Sequence, residues 1–75
     1  MADEYVRIEV AFDGGQIMSA RVVTESVDEL ERALAAGEDR AVALGADDGR
    51  YTVVLRRVVY LKRFSRETRV SFGAR

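Results

Sequence analysis

The pattern of apolar and polar residues predicts a strand from Tyr5 to Phe12. Every second side chain in this stretch is large and apolar, and these side chains point to one side: Val6, Ile8, Val10, Phe12. A period of two residues is typical of a strand with one buried face. The next residues, Asp13-Gly14-Gly15, are a strong turn signal because glycine adopts a positive φ without steric cost. Gln16 to Thr24 is therefore predicted to be the returning strand of a hairpin.

The register of this hairpin follows from its side chains. A two-residue loop would place Ile8 opposite Arg21 and mix the two faces of the sheet. A three-residue loop with Gly15 in the left-handed region instead pairs apolar residues with apolar residues. The expected pairs are Val10 with Met18, Ile8 with Ala20, and Val6 with Val22. This register has a cost, because Arg7 then faces Arg21, with Glu9 as the diagonal neighbour.

One helix is predicted after the hairpin. Ser26-Val-Asp-Glu29 has the form of a capping box, in which Ser26 and Glu29 each bind the backbone amide of the other. An apolar stripe follows on one side of the helix: Val27, Leu30, Ala33, Leu34. Gly37 is placed to end the helix in a left-handed conformation. The helix is about ten residues long, so it needs to pack on a sheet to be stable.

The second half of the chain again predicts strands. Ala41 to Ala46 is a short strand, and Asp47-Asp48-Gly49 predicts a turn into the long apolar stretch from Tyr51 to Phe64. The adjacent residues Arg56 and Arg57 put charge on both faces of that stretch, so we expect a bulge or short turn there. Arg69 to Phe72 favours a last strand. Residues 73–75 are expected to be a frayed tail.

Together these elements predict an α+β fold in a single domain, residues 1–75. The expected architecture is a small, twisted antiparallel sheet in the order β-β-α-β-β-β, with one helix packed on one face. A chain of 75 residues builds only a thin core, and small domains commonly compensate with crosslinks, metals or partner chains. Self-association is the compensation expected for this sequence.

The composition disfavours catalysis and metal binding. The chain has no cysteine and no histidine, so disulfides, thiolate metal sites and histidine-based catalysis are excluded. Acidic residues in the predicted turns, such as Asp47 and Asp48, are better explained as solvated loops than as a cation site. We therefore expect a protein that is not an enzyme and that needs no cofactor and no metal.

The sequence also predicts where the protein is found. No run approaches the roughly 18 apolar residues that a membrane-spanning helix needs. The acidic start, Met1 to Tyr5, lacks the apolar core of a secretory signal. The cytoplasm is the expected compartment, and no membrane partner is expected.

Charge is divided unevenly along the chain. Residues 1–49 carry 12 acidic and 4 basic side chains, a net charge of −8, whereas residues 50–75 carry 1 acidic and 8 basic ones, a net charge of +7. The sequence leaves two interpretations open: faces of opposite charge, or neutralisation between neighbouring strands.

Two functions follow from these features. The first is a protein-interaction module that forms a homodimer or binds another protein through the sheet, because exposed aromatic and arginine side chains favour interfaces. The residues predicted for that surface are Tyr5, Tyr60, Phe64 and Phe72. The alternative is a nucleic-acid-binding domain that uses basic side chains among aromatic ones. Its candidate residues are Arg56, Arg57, Lys62, Arg63, Arg66 and Arg69. The sequence pI of about 5.4 argues against this alternative.

Overall fold

Five strands and one helix make up residues 4–65, the part of the chain that the computed structural model describes. In chain order they are β1 (Tyr5–Phe12), β2 (Ile17–Val23), α1 (Thr24–Ala35), β3 (Ala41–Ala46), β4 (Gly49–Val54) and β5 (Val58–Arg63). All strand pairs are antiparallel, and the sheet order is β4-β3-β2-β1-β5. The predicted α+β class and element order are confirmed. The predicted strand over 69–72 and the tail 73–75 lie outside the described residues.

The first hairpin has the predicted register. β1 and β2 pair Val10 with Met18, Ile8 with Ala20, and Val6 with Val22. The Phe12 amide donates to the Gln16 carbonyl at 2.9 Å, which leaves a three-residue loop. Gly15 in that loop has a φ of 91°, a conformation that glycine adopts without strain. Apolar matching across the two strands, together with the loop glycine, therefore predicted the register correctly.

The start of α1 differs from the prediction, and the capping box was wrong. The helix begins at Thr24, its N-cap is Val23, and no side chain caps its first turn. β2 leads directly into the helix, because the Thr24 amide still donates to the Glu4 carbonyl at 3.1 Å. Ser26 therefore lies inside the first turn. Its hydroxyl accepts from the Gly45 amide at 2.9 Å and links the helix to β3.

The end of α1 is close to the prediction. The Gly37 amide donates to the Leu34 carbonyl and the Glu38 amide to the Ala33 carbonyl, both at 3.1 Å. Gly37 has a φ of 69°, so these bonds form a Schellman motif. The motif satisfies two carbonyl groups that the last helical turn would otherwise leave without donors.

The core lies between α1 and the face of the sheet that it covers. The helix contributes Val27, Leu30 and Ala33, all fully buried. The sheet contributes alternate residues of its strands together with Leu55, as the period-two pattern predicts: Ile8, Val10, Val22, Val42, Leu44, Val53, Leu55. No polar or charged residue among residues 4–65 is buried, so each of their charged side chains reaches the surface.

The long apolar stretch is divided where the two arginines predicted a break. A single turn of 3-10 helix, Leu55–Arg57, separates β4 from β5. These two strands are the opposite edges of the sheet, which would lie about 19 Å apart if the sheet were flat. The step from Val54 to Val58 spans at most about 14 Å even when fully extended. The sheet must therefore curl until its edges approach each other at this end.

Two backbone hydrogen bonds hold this connection in place. The Asp13 amide donates to the Arg57 carbonyl at 2.9 Å, and the Leu55 amide donates to the Arg40 carbonyl at 3.0 Å.

Within residues 4–65, no helix is long and apolar enough to cross a membrane.

Candidate functional site

The side of the sheet opposite α1, called here the open face, carries four of the seven candidate residues that the structure describes. On β1 it presents Tyr5, Arg7 and Glu9, because these residues alternate with the core residues. The strand pairing places Arg21 beside Arg7, and Tyr60 beside Ala11. The prediction placed Tyr5, Tyr60 and one of two phenylalanines on this face. Tyr5, Tyr60 and Phe64 do lie there, whereas Phe72 lies outside the described residues.

A row of three side chains, called here the basic row, crosses the open face. It consists of Phe64, directly after β5, Arg7 on β1 and Arg21 on β2. The Phe64 amide donates to the Arg7 carbonyl at 3.0 Å, and Arg7 is the direct partner of Arg21 on β2. The Arg7 guanidinium carbon lies 4.5 Å from the centre of the Phe64 ring, and the Lys62 ammonium lies at the same distance. Each of these contacts is a cation–π interaction.

The acidic residue expected to screen the two arginines is engaged elsewhere. Glu9 accepts a short hydrogen bond from the Tyr60 hydroxyl. This bond to a carboxylate raises the pKa of Tyr60, since losing the proton would place two negative oxygens together. Arg21 has a different partner, Asp47, at 3.7 Å, and both side chains of this ion pair are about half exposed or more. Such an exposed pair is weak.

An apolar row lies farther along the same face and consists of Tyr60, Ala11 and Ile17. Ala11 is the direct partner of both other residues, one on each neighbouring strand. Tyr60 is 44% exposed and Ile17 is 60% exposed, although both present large apolar surfaces. Next to this row the register shifts, with Tyr60 opposite Ala11 but Val58 opposite Phe12. Val59 is thus the extra residue of a bulge at the sheet edge, and it is 65% exposed.

A groove of about 830 Å³ lies at the end of the open face where β1, β2 and β5 meet. Arg7, Arg21 and Phe64 of the basic row all line it. Tyr5 and Thr24 line it too, so the first residue of α1 borders the groove. Arg63 reaches it from the other side of β5.

Three of the arginines predicted to bind nucleic acid pair with carboxylates of the first half of the chain. Arg57 lies 3.3 Å from Asp13, and Arg56 lies 3.9 Å from Asp39. Arg63 points to the helix side of the sheet and contacts both Asp28 and Glu31 at 3.0 Å. Lys62 is the predicted basic residue that lies on the open face, over Phe64. Arg66 and Arg69 lie outside the described residues.

A separate charged cluster joins the end of α1 to the start of β3. Arg32 and Arg40 both donate to the Glu29 carboxylate, and both also contact Glu38. The hydrogen bonds from Arg32 and then Arg40 lower the pKa of Glu29 from 4.5 to about 2. Glu29 was predicted to close a capping box, so this is a second correction. The arginines that bind Glu29 lie three and eleven residues after it in the sequence.

Four residues of the open face and its edge were not assigned to a site from the sequence. Arg7 and Arg21 were recognised as neighbours but treated only as a cost of the register. Ile17 and Val59 were not singled out. The register itself was the signal for the arginines, since it placed them side by side. Val59 gave no signal, because its exposure depends on a bulge that the sequence did not locate.

Metal-binding side chains do not cluster in residues 4–65: no three acidic residues there are close enough to hold an ion. Comparisons with protein-family models, with curated proteins and with solved structures found no match. What the protein does must therefore be argued from its own surface.

Proposed function

We propose that the chain is a non-enzymatic protein-interaction module that pairs with a second copy of itself through β5 and the adjoining open face. The observation that carries this proposal is the apolar row, which ends at a sheet edge. Tyr60 lies on the edge strand, Ile17 lies two strands away, and the exposed Val59 adjoins them. Exposed apolar surface next to an unpaired edge is typical of association sites.

The edge strand supports pairing with another strand. In residues 4–65, β5 hydrogen-bonds to β1 on one side and has no neighbouring strand on the other. Within the described residues, its outer amide and carbonyl groups therefore face no strand, which supports pairing with a strand of another copy. Proline is a common means of blocking such an edge, and this chain contains none.

Charge and symmetry favour a second copy as the partner. Most homo-oligomers are dimers with two-fold symmetry, in which the same surface is used twice. An antiparallel pair of β5 strands centred on Leu61 places Lys62 opposite Tyr60 of the other copy and Arg63 opposite its Val59. The lysines then do not face each other, so like charges are not opposed across the junction. The thin core of a 75-residue domain gives a further reason to associate.

The test is the mass of the protein in solution, measured by sedimentation or light scattering from micromolar to millimolar concentration. We expect a concentration-dependent rise from 8.4 kDa towards twice that mass. Val59→Lys should weaken the dimer by about tenfold or more, because it buries a charge at the junction.

A matched control is available at the opposite edge of the sheet. Val54 on β4 is also an exposed valine, at 45%, so Val54→Lys makes the same chemical change on the edge strand that the proposed junction does not use. It should leave the dimer intact. A monomer at every concentration, or equal weakening by both substitutions, would show that the proposal is wrong.

A nucleic-acid-binding domain remains the second candidate function. The observation that favours it is the placement of Arg7 and Lys62 over Phe64 on an exposed sheet face. Basic and aromatic side chains in this arrangement suit single-stranded nucleic acid. The ion pairs of Arg56, Arg57 and Arg63 weigh against it, because charges already neutralised attract phosphates less. A labelled single-stranded RNA pool that shows no retention at about 50 mM salt would exclude this function.

A further inference from the structure

The basic row contains a pair of like charges that the fold does not need. Arg7 and Arg21 are direct cross-strand partners on the open face. Like charges in this position destabilise a sheet, and neither side chain contributes to the core. Among residues 4–65, Arg7 forms no ion pair with a carboxylate, and Arg21 has only the long contact to Asp47. The pair therefore destabilises the fold of the free protein.

The groove beside this pair is lined by three arginines and one carboxylate. Besides Arg7 and Arg21, it is lined by Arg63, whose guanidinium also binds Asp28 and Glu31. It is bordered by Thr24, where α1 begins without a side-chain cap. The first turn of a helix carries partial positive charge and favours an anion. Glu4 is the one carboxylate among the described residues that line the groove.

We propose that this groove binds a phosphate group, held between the guanidinium groups of Arg7 and Arg21. A phosphate dianion carries a second negative charge and tetrahedrally arranged oxygens, so it can accept hydrogen bonds from two guanidinium groups that approach from neighbouring strands. The side chains of direct cross-strand partners start about 5 Å apart, which suits two donors on one phosphate. A bound phosphate would remove the repulsion between the two arginines, and this relief would add to the free energy of binding. The two arginines that bind the phosphate lie on β1 and β2, at the end of the open face away from Ile17, rather than on β5.

The experiment is a titration of the ¹⁵N-labelled protein with inorganic phosphate at constant ionic strength, followed by amide chemical shifts. We expect saturable shifts around Arg7 and Arg21. Arg7→Gln and Arg21→Gln should each weaken binding by about tenfold or more, which is the range expected when one charged hydrogen-bond donor is lost. Both variants should remain folded, since each removes one charge from a repulsive pair.

Arg50→Gln is the matched control. Arg50 is exposed on β4, it is paired with Gly45 of β3, and the substitution changes the net charge by the same amount. The affinity of Arg50→Gln for phosphate should stay within about twofold of that of the unaltered protein. A general charge effect would instead lower the affinity of all three variants by the same factor. Absence of saturable binding, or equal weakening in Arg50→Gln and Arg7→Gln, would overturn the proposal. Acetate binding as tightly as phosphate would overturn the preference for a dianion.

Two further titrations identify the source of the phosphate. A nucleoside monophosphate tests small phosphorylated molecules, and a single-stranded oligonucleotide without terminal phosphate tests the nucleic-acid backbone. Loss of binding in Arg7→Gln must accompany whichever ligand binds, or the groove is not its site. A steep decline of oligonucleotide binding with salt would identify the backbone as the source.

Discussion

The hydrogen bond between Ser26 and Gly45 gives a sharp test of how α1 is held on the sheet. The Gly45 amide donates to the Ser26 hydroxyl at 2.9 Å in a partly buried position. β2 and β3 share one bridge pair, Val22 with Ala46, so the helix side chain serves this amide where the ladder between those strands has ended. Ser26→Ala removes this acceptor, so the Gly45 amide loses its hydrogen-bond partner.

The size of the effect follows from the position of the amide. An ordinary hydrogen bond contributes about 1 kcal/mol net, and a buried amide left without a partner costs about 1–3 kcal/mol. Because this site is partly buried, we expect a loss of about 1–2 kcal/mol in the free energy of unfolding. In a domain of this size each kcal/mol corresponds to about 4–8 °C in Tm.

Urea and thermal unfolding measure the loss, and amide exchange locates it. Exchange should speed up at Gly45, whereas a capping role for Ser26 would affect the amide of Glu29. Gly45→Ala is the control: the added Cβ would meet Val23 and Ser26 at 3.7 and 3.8 Å, which is ordinary contact, and the amide remains. That variant should be neutral or slightly stabilised. A Ser26→Ala protein as stable as the original would refute the argument.

Two further predictions concern the core and the charged cluster. Leu30→Ala should lower the free energy of unfolding by about 2–5 kcal/mol, since Leu30 is fully buried. Leu34→Ala should lower it by less, because Leu34 is only half-buried. Equal losses of the two variants in urea unfolding would contradict this packing. The pKa of Glu29, lowered from 4.5 to about 2, makes its contribution to stability fully present above pH 4.5 and lost as the pH falls through about 2. An NMR titration of its carboxyl should show this pKa, and Arg40→Gln should raise it; an unchanged value would mean that Arg40 does not bind Glu29.

The sheet was the more predictable part of the fold. The alternation from Tyr5 to Phe12 and the loop glycine Gly15 together specify one register, because a slip by one residue would expose the whole apolar set. The break at Arg56 and Arg57 was equally clear, since no buried strand accepts charge on both faces. In each case the decisive information lies within a few residues along the chain.

The contacts that were missed join residues far apart in sequence. Ser26 and Glu29 match a capping box, but the pattern carries no information about Gly45 or Arg40, which reach them only after β3 has docked. The order of the strands in the sheet was not predicted, for the same reason. It depends on which strands become the two edges, and β4 and β5 are neighbours in sequence but not in the sheet.

The uneven distribution of charge along the chain acquires a physical meaning from these contacts. Arg57 with Asp13, Arg56 with Asp39, and Arg63 with Asp28 each join the basic second half to the acidic first half. Exposed pairs of this kind contribute little to stability, about 0–1 kcal/mol each, so they do not explain why the chain folds. What they change is the surface, because they neutralise three arginines of the second half. Arg7 belongs to the acidic half and yet forms no such pair within residues 4–65. Because Arg7 has no carboxylate partner among the described residues, its guanidinium is where we expect an anionic ligand to bind.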